Sequence, residues 1–288
     1  MKSDSFGKIK MNKNEKIFAV FGNPIEHSQS PKIHSLFSQQ TKINIIYRSQ
    51  CINREKFVDS ARDFFSSGGF GLNITVPFKT EAYVFSDELS QRAKNAGAVN
   101  TLICRDGWIR GDNTDGVGLI NDLQKNLKWE LKEKNVLIIG AGGATRGIIE
   151  PILLAHPSSL TITNRTVSKS EDLVSMFSES AKNSACKLNS SVITNLEDDF
   201  DIIINATSAS LEGRLPNVNP SIFLGAACYD LMYSKAPTNF LYWAKNNGAT
   251  IISDGLGMLV EQAAESFFLW HDVRPETECV IQEIRGNI

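Results

Sequence analysis

No apolar run in this 288-residue chain reaches 18 residues, so no segment reads as a membrane-spanning helix. Net charge is also nearly absent. Thirty basic and 32 acidic residues leave −2, which offers no general attraction to nucleic acid or an anionic membrane. Only five cysteines occur (Cys51, Cys104, Cys186, Cys228 and Cys279), with no C-x-x-C pair. They read as buried thiols in a reducing, cytoplasmic compartment rather than as disulfides or zinc ligands. The four histidines, His27, His34, His156 and His271, show no metal-ligand spacing, and no metal is expected. There is no internal repeat and no low-complexity tract. Residues 1–16 carry five lysines but no apolar stretch of the secretory kind. They read as a disordered leader, with Met11 as an alternative start. What remains is 42% hydrophobic and 22% charged, and long enough to build two domains.

The richest segment runs from Val136 to Gly147. Four β-prone apolar residues lead into Gly140, Ala141, Gly142, Gly143 and Ala144, and a helical pattern follows from Gly147 to Ala155. A strand, a glycine turn and a helix expose backbone N–H groups at a helix N-terminus, where a pyrophosphate binds. Gly140 permits the tight turn and Gly142 a close approach of backbone to phosphate. The third fingerprint position holds Thr145 instead of Gly or Ala. After the next strand, Ser159 to Thr163, come Asn164, Arg165 and Thr166, with Lys169 close behind. An NAD site places an acid there for the ribose 2′-hydroxyl. A guanidinium instead grips a 2′-phosphate, which points to NADP(H).

Strands and helices alternate along the chain. Strands are predicted at Ile17–Gly22, Ile43–Ser49, Phe70–Thr75 and Ala98–Cys104, and helices at Pro31–Gln40 and Arg54–Ser66. A polar turn, Gly111 to Gly116, opens a helix over Val117–Asn126. Later strands are predicted at Ser191–Thr194, Asp201–Asn205, Ala226–Leu231 and Thr250–Ser253, and final helices at Leu256–Trp270 and Pro275–Ile284. Repeated βα units argue for an α/β protein with parallel sheets covered by helices.

Polar clusters fall at the ends of these elements, where open α/β sheets bind ligands. Ser28 and Ser30 precede Pro31, and Ser30 reads either as a helix N-cap or, with Ser28, as a carboxylate site. Asn73 and Thr75 alternate on one strand face, and Lys79 follows the Pro77 turn, either as a surface lysine or as a site residue. Asn100 sits in an otherwise apolar strand, where a buried amide needs partners. Asp115 reads either as a cap of the next helix or as a site carboxylate.

These clusters, in this order, resemble the shikimate dehydrogenase family. The matching stretches begin at Phe21, Asn73, Ala96, Gly111, Gly140, Asn164, Asn205, Tyr229 and Asp254, and cover roughly residues 17 to 286. The resemblance implies a substrate-binding domain over 17–113, a Rossmann-type NADP-binding domain over 114–254, and helices over 255–288 that return to the first domain across a cleft that closes. It implies reversible, NADPH-dependent reduction of 3-dehydroshikimate to shikimate on the route to chorismate and the aromatic amino acids. Lys79 and Asp115 would form the catalytic pair. Ser28, Ser30, Thr75 and Tyr233 would hold the substrate carboxylate. Asn73, Asn100, Asp115 and Gln262 would bond the ring hydroxyls. Gly140, Ala141, Gly142, Gly143 and Ala144 would hold the pyrophosphate; Asn164, Arg165, Thr166 and Lys169 the 2′-phosphate; Leu231 and Gly255 would lie beside the nicotinamide. The partner is then a small molecule, and the chain a monomer or homodimer.

Two departures stand out. Ala209-Ser210 follows Ser208 where the family often has Gly, and Lys169 replaces a common second arginine. Rival readings are a quinate/shikimate dehydrogenase using NAD, a non-catalytic dinucleotide sensor, and an amino-acid or folate-type dehydrogenase. The first conflicts with the missing acid after Thr163, the second with retention of both Lys79 and Asp115. The third leaves the paired serines unexplained.

Overall fold

A computed structural model describes residues 16–196, 199–207 and 215–288. Residues 1–15 of the expected leader and the Ala209-Ser210 departure lie outside the described residues.

The first half builds a six-stranded sheet in the order β2-β1-β3-β5-β6-β4. β1 (Lys16–Gly22) lies parallel to β2 (Ile45–Cys51) and to β3 (Gly69–Ile74). β5 (Thr101–Arg105) runs antiparallel to both β3 and β6 (Trp108–Asp112), and the short β4 (Glu88–Leu89) pairs parallel to β6. The expectation of wholly parallel sheets therefore fails here. The cause is local: Asp106 and Gly107, with φ of 52° and 82°, form a two-residue hairpin turn. An Asp-Gly pair favours positive φ at both positions, which reverses the chain at once and leaves no crossover helix. The unpredicted strand β6 is the returning arm of that hairpin.

The second sheet has the order β12-β11-β10-β7-β8-β9, and every pair in it is parallel. At its centre, β7 (Asn135–Ile139) buries Val136, Leu137, Ile138 and Ile139 on both faces, as an unbroken apolar strand between helical layers must. β8 (Ser159–Asn164) and β9 (Lys187–Val192) extend the sheet one way; β10 (Ile202–Asn205), β11 (Ala227–Asp230) and β12 (Ile251–Asp254) extend it the other. The direction reverses between β7 and β10, which is where such sheets leave a crevice for a ligand.

Helices cover both sheets: α1 (Ser30–Thr41), α2 (Phe57–Ser66), α3 (Lys79–Phe85) and α4 (Gln91–Ala96) in the first half, then α5 (Asp115–Asn121). α6 (Gly143–Leu154), α7 (Val167–Met176), α8 (Ser178–Asn183) and α9 (Asn239–Asn246) serve the second sheet. α2 turns Phe57, Ala61 and Phe64 into the core and leaves Phe65 half-buried. The short α4 was not predicted; six residues are too few to show a period, and it is defined by its ends, Ser90 capping the Ala93 N–H and Gly97 in the left-handed region. α10 (Leu256–His271) packs on α5 and α1 and reaches β3 and β5, and α11 (Glu278–Arg285) packs on α10 and α1. The chain thus returns to its first half after completing the second sheet. No helix among the described residues is long and apolar enough to cross a membrane. Cys186 and Cys228 are buried, and burial pushes their thiols up to about 11 and about 12. Cys51 and Cys279, by contrast, are exposed, contrary to the reading of all five as core thiols.

Candidate active site

Where the first sheet meets α5 and α10, the ends of several elements enclose a cavity of about 470 Å³. Ser28, Ser30, Asn73, Thr75, Lys79, Asn100, Asp115, Tyr233 and Gln262 all line it, together with Leu231 and Gly255. Residues more than 230 positions apart are therefore gathered by the return of the C-terminal helices.

The Lys79 ammonium donates to Asp115 Oδ2 at 2.6 Å, with the lysine side chain 30% and the aspartate 12% exposed. Asp115 Oδ1 accepts from Asn100 Nδ2 at 2.8 Å. The Asn100 amide cannot turn over, because its Oδ1 accepts the Thr114 backbone N–H at 2.9 Å. Gln262 Oε1 lies 3.3 Å from both Asn100 Nδ2 and Thr114 Oγ1, which joins α10 to the group. Lys79 itself is anchored through its backbone, whose carbonyl accepts the Val99 N–H at 2.8 Å.

Asp115 is not a helix cap. Asn113 Oδ1 accepts the Asp115 N–H at 3.1 Å, which frees the aspartate carboxylate to face the cavity. Ser30 is likewise not the N-cap of α1. It is the first helical residue, Gln29 occupies the cap, and Ser28 Oγ accepts the Ser30 N–H at 3.3 Å. Thr75 lies just past the end of β3 rather than within it, and Asn100 just before β5.

A supporting group had no signature in the sequence. Arg92 donates to both oxygens of Asp112 at 3.0 and 2.9 Å and to Glu265 at 2.8 Å. Asp112 also accepts from Ser90 at 2.6 Å and from the Asn113 N–H at 2.7 Å, so it pins the loop that carries Asp115. Burial works against the Arg92 charge, but Asp112 and then Glu265 outweigh it and raise its pKa. An arginine on an unpredicted helix, paired with an acid 20 residues on, offers no spacing to read. At the cavity wall, burial and then the charge of Asp254 raise the Tyr233 phenol, which stays protonated.

A second cavity, of about 620 Å³, opens at the β7–β10 crevice. Gly140, Ala141, Gly142, Asn164, Arg165, Thr166 and Lys169 line it; Gly143 and Ala144 begin α6 and do not. Gly140 has φ of +120°, which a side chain rarely tolerates, and a Cβ at Gly142 or Gly143 would meet nothing within 4 Å. Room is therefore left for a ligand against the α6 N-terminus. Thr145 explains its own departure from the fingerprint. It is fully buried, and its Oγ1 donates to the Gly140 carbonyl at 2.9 Å, which keeps helix and turn close without a third glycine. Arg165 and Lys169 are exposed at the rim, and neither forms an ion pair with a described residue. Free cations beside an open helix N-terminus suit a dinucleotide with an extra phosphate. Thr207 and Asn217 also line this cavity, unpredicted because they follow no glycine or charge pattern. Among the described residues, no group of three or more His, Cys, Asp or Glu is placed to hold a metal.

Comparison with known proteins identifies a family. Residues 20–102 match a family described as the shikimate dehydrogenase substrate binding domain. Residues 122–212 match shikimate / quinate 5-dehydrogenase, and residues 255–285 the shikimate 5′-dehydrogenase C-terminal domain. The chain is similar to the shikimate dehydrogenase (NADP(+)) of Vibrio cholerae serotype O1, at 49% identity over 94% of this chain and 96% of that one. Among solved structures it is similar to an Ael1 enzyme from Pseudomonas putida, with TM-score 0.88 and 41% identity over 93% of this chain and 97% of the other. It is also similar to a shikimate 5-dehydrogenase from Thermus thermophilus in complex with NADP(H) and shikimate. There the TM-score is 0.84 and identity 28%, over 95% of this chain and all of the other.

Proposed function

The chain belongs to the shikimate dehydrogenase family, and we propose that it interconverts 3-dehydroshikimate and shikimate with NADP(H). The observation that carries this is the 2.6 Å contact between Lys79 and Asp115 in a cavity lined by paired serines and amides.

Held along the Gly140 turn, NADPH would supply the hydride for the substrate ketone. The oxygen of that ketone becomes negative as the reaction proceeds, and the Lys79 ammonium donates a proton or a charged hydrogen bond to it. Asp115 holds the ammonium at the reacting oxygen, and in the reverse direction the pair takes up the hydroxyl proton. Ser28, Ser30, Thr75 and Tyr233 hold the carboxylate, and Asn73, Asn100 and Gln262 the ring hydroxyls. Gly140, Ala141 and Gly142 hold the pyrophosphate against the α6 N-terminus that Gly143 and Ala144 open, and Asn164, Arg165, Thr166 and Lys169 hold the 2′-phosphate. Leu231 and Gly255, which line the substrate cavity, bound it on the nicotinamide side.

On this reading residues 17–113 form the substrate domain, 114–254 the nucleotide domain, and 255–288 the helices that return. The free cysteines, two of them exposed, fit a reducing compartment, so we place the enzyme in the cytoplasm, as a monomer or homodimer.

The deciding assay is reduction of NADP⁺ with shikimate against quinate, repeated with NAD⁺. Shikimate with NADP⁺ is expected to be the fastest pair. Quinate turned over as fast as shikimate would move the chain to the broader quinate/shikimate group. No turnover by folded protein with any pair would reject the function.

A further inference from the structure

Behind the cavity wall stands Tyr47, in the middle of β2. It does not line the cavity itself, but its hydroxyl donates to Asn73 Oδ1 at 2.7 Å, and Asn73 does line it. On its other side, Asn73 Nδ2 has three acceptors: Ser266 Oγ at 3.0 Å, Thr101 Oγ1 at 3.2 Å and the Asn100 carbonyl at 3.3 Å. An amide nitrogen has two hydrogens, and this group uses both. A carbonyl can only accept, so turning the amide over would set oxygen against oxygen. Among the described residues only Tyr47 donates to Asn73 Oδ1 with hydrogen-bond geometry, and both ring nitrogens of the nearby His34 are without a partner, so the second lone pair of Oδ1 is left for a ligand.

The Tyr47 ring is itself held. It stacks on His34 with centroids 4.2 Å apart and planes 8° from parallel. Burial, and then the neighbouring His271, push His34 down to about 3 against an opposing contribution from Asn73, so the stacking surface is neutral. Burial raises the Tyr47 phenol further than hydrogen bonding from Ser30 lowers it. The proton it donates is therefore present throughout the working pH range. Asn73 belongs to the cavity wall, so the Tyr47 hydroxyl braces that wall from behind.

We propose that Tyr47 is a positioning residue for substrate selection: by donating to Asn73 Oδ1 it fixes that amide as an acceptor, so the site favours a ligand that offers a hydroxyl proton there. This rests on the shikimate reading above, in which that proton belongs to a ring hydroxyl. Nothing in the sequence pattern marks Tyr47, which there is only one apolar-run residue of a predicted strand.

Tyr47→Phe removes the oxygen and keeps the ring. The KM for shikimate is expected to rise about fivefold to tenfold, the size of one net hydrogen bond, with kcat within about twofold of wild type. The KM for NADP⁺ should not move. Because Tyr47 acts through Asn73, adding Tyr47→Phe to Asn73→Ala should cost no more than Asn73→Ala alone. A second measurement needs only the first variant. Among the mono-deoxy shikimates that keep the hydroxyl to be oxidised, the one that wild type rejects most strongly should be rejected less strongly by Tyr47→Phe. An unchanged KM for shikimate, an equal rise in both KM values, multiplying effects in the double variant, or unchanged discrimination would each overturn the proposal. Wild-type protein that oxidises no shikimate would instead reject the functional reading, and this inference with it.

Discussion

At the front cavity, the polar side chains around Lys79 and Asn73 are already bonded to others: Lys79 to Asp115, Asp115 to Asn100, Asn100 to Thr114, Asn73 to Tyr47 and Ser266. At the crevice of the parallel sheet the opposite holds. The Asn164 side chain bonds within its own turn, to the Thr166 carbonyl, while Arg165 and Lys169 stand exposed. On the proposed function, the difference follows from what each place must hold. A small, neutral-ringed substrate gives few contacts, so its partners must be aimed beforehand, because an unaimed dipole loses most of its effect in a transition state. A dinucleotide is long and highly charged, and it brings enough phosphate to order exposed cations on arrival. Backbone N–H groups of the glycine turn are rigid already and need no side chain to aim them.

The sharpest way to break this contrast is Lys79→Ala. An aimed ammonium acting on the reacting oxygen predicts a fall in kcat of at least ~10²-fold with a smaller change in KM, read by steady-state kinetics. A kcat near wild type would remove Lys79 from the reaction. At the crevice the effect should be smaller and of the other kind. Arg165→Ala should raise the KM for NADPH about tenfold or more, as loss of one or two charged hydrogen bonds would, and leave the KM for NADH nearly unchanged. Equal effects on the two cofactors would show that Arg165 does not read the 2′-phosphate.

The smallest expected effect lies at the seam between the two regions. Asp122, at the end of α5, accepts from Tyr229 of β11 at 2.6 Å and from Asn126 at 3.0 Å, and packs so closely on Gly257 of α10 that no Cβ fits there. Burial raises its pKa against those hydrogen bonds, and the charges of Glu261 and Asp254 add to the rise. A carboxyl raised on folding contributes stability below its unfolded pKa and loses it as pH climbs through the folded value. Relative to Asp122→Asn, wild type should therefore become less stable, by a few degrees of Tm, between about pH 4 and neutrality. A difference that is flat, or grows in favour of wild type, would mean that the seam tolerates this charge without strain.

Much of the architecture was legible because it rests on local rules. Val136 to Ile139 leading into Gly140 is a buried strand meeting a turn that requires positive φ, and no distant residue is needed to see it. The nine side chains proposed for substrate and catalysis could each be named from motifs, but Ser30 and Asp115 alone were also readable as caps, and Lys79 as a surface residue. Two capping readings, Ser30 and Asp115, fell because neighbours one or two residues away did that work. The β5–β6 hairpin was in principle readable from Asp106-Gly107. Arg92, Asp112, Glu265 and Tyr47 were not, since they act through partners between 20 and 173 residues distant.

Chain order and composition alone dictated the alternation of strands and helices, the glycine turn at the second sheet and the cations beside it, since each follows from neighbours along the backbone. Which residues became a site was settled by folding. Only when α10 lies across α5 and β3 do Gln262 and Ser266 reach Asn100 and Asn73, and only then is each amide held in one orientation by donors and acceptors that the linear order keeps far apart.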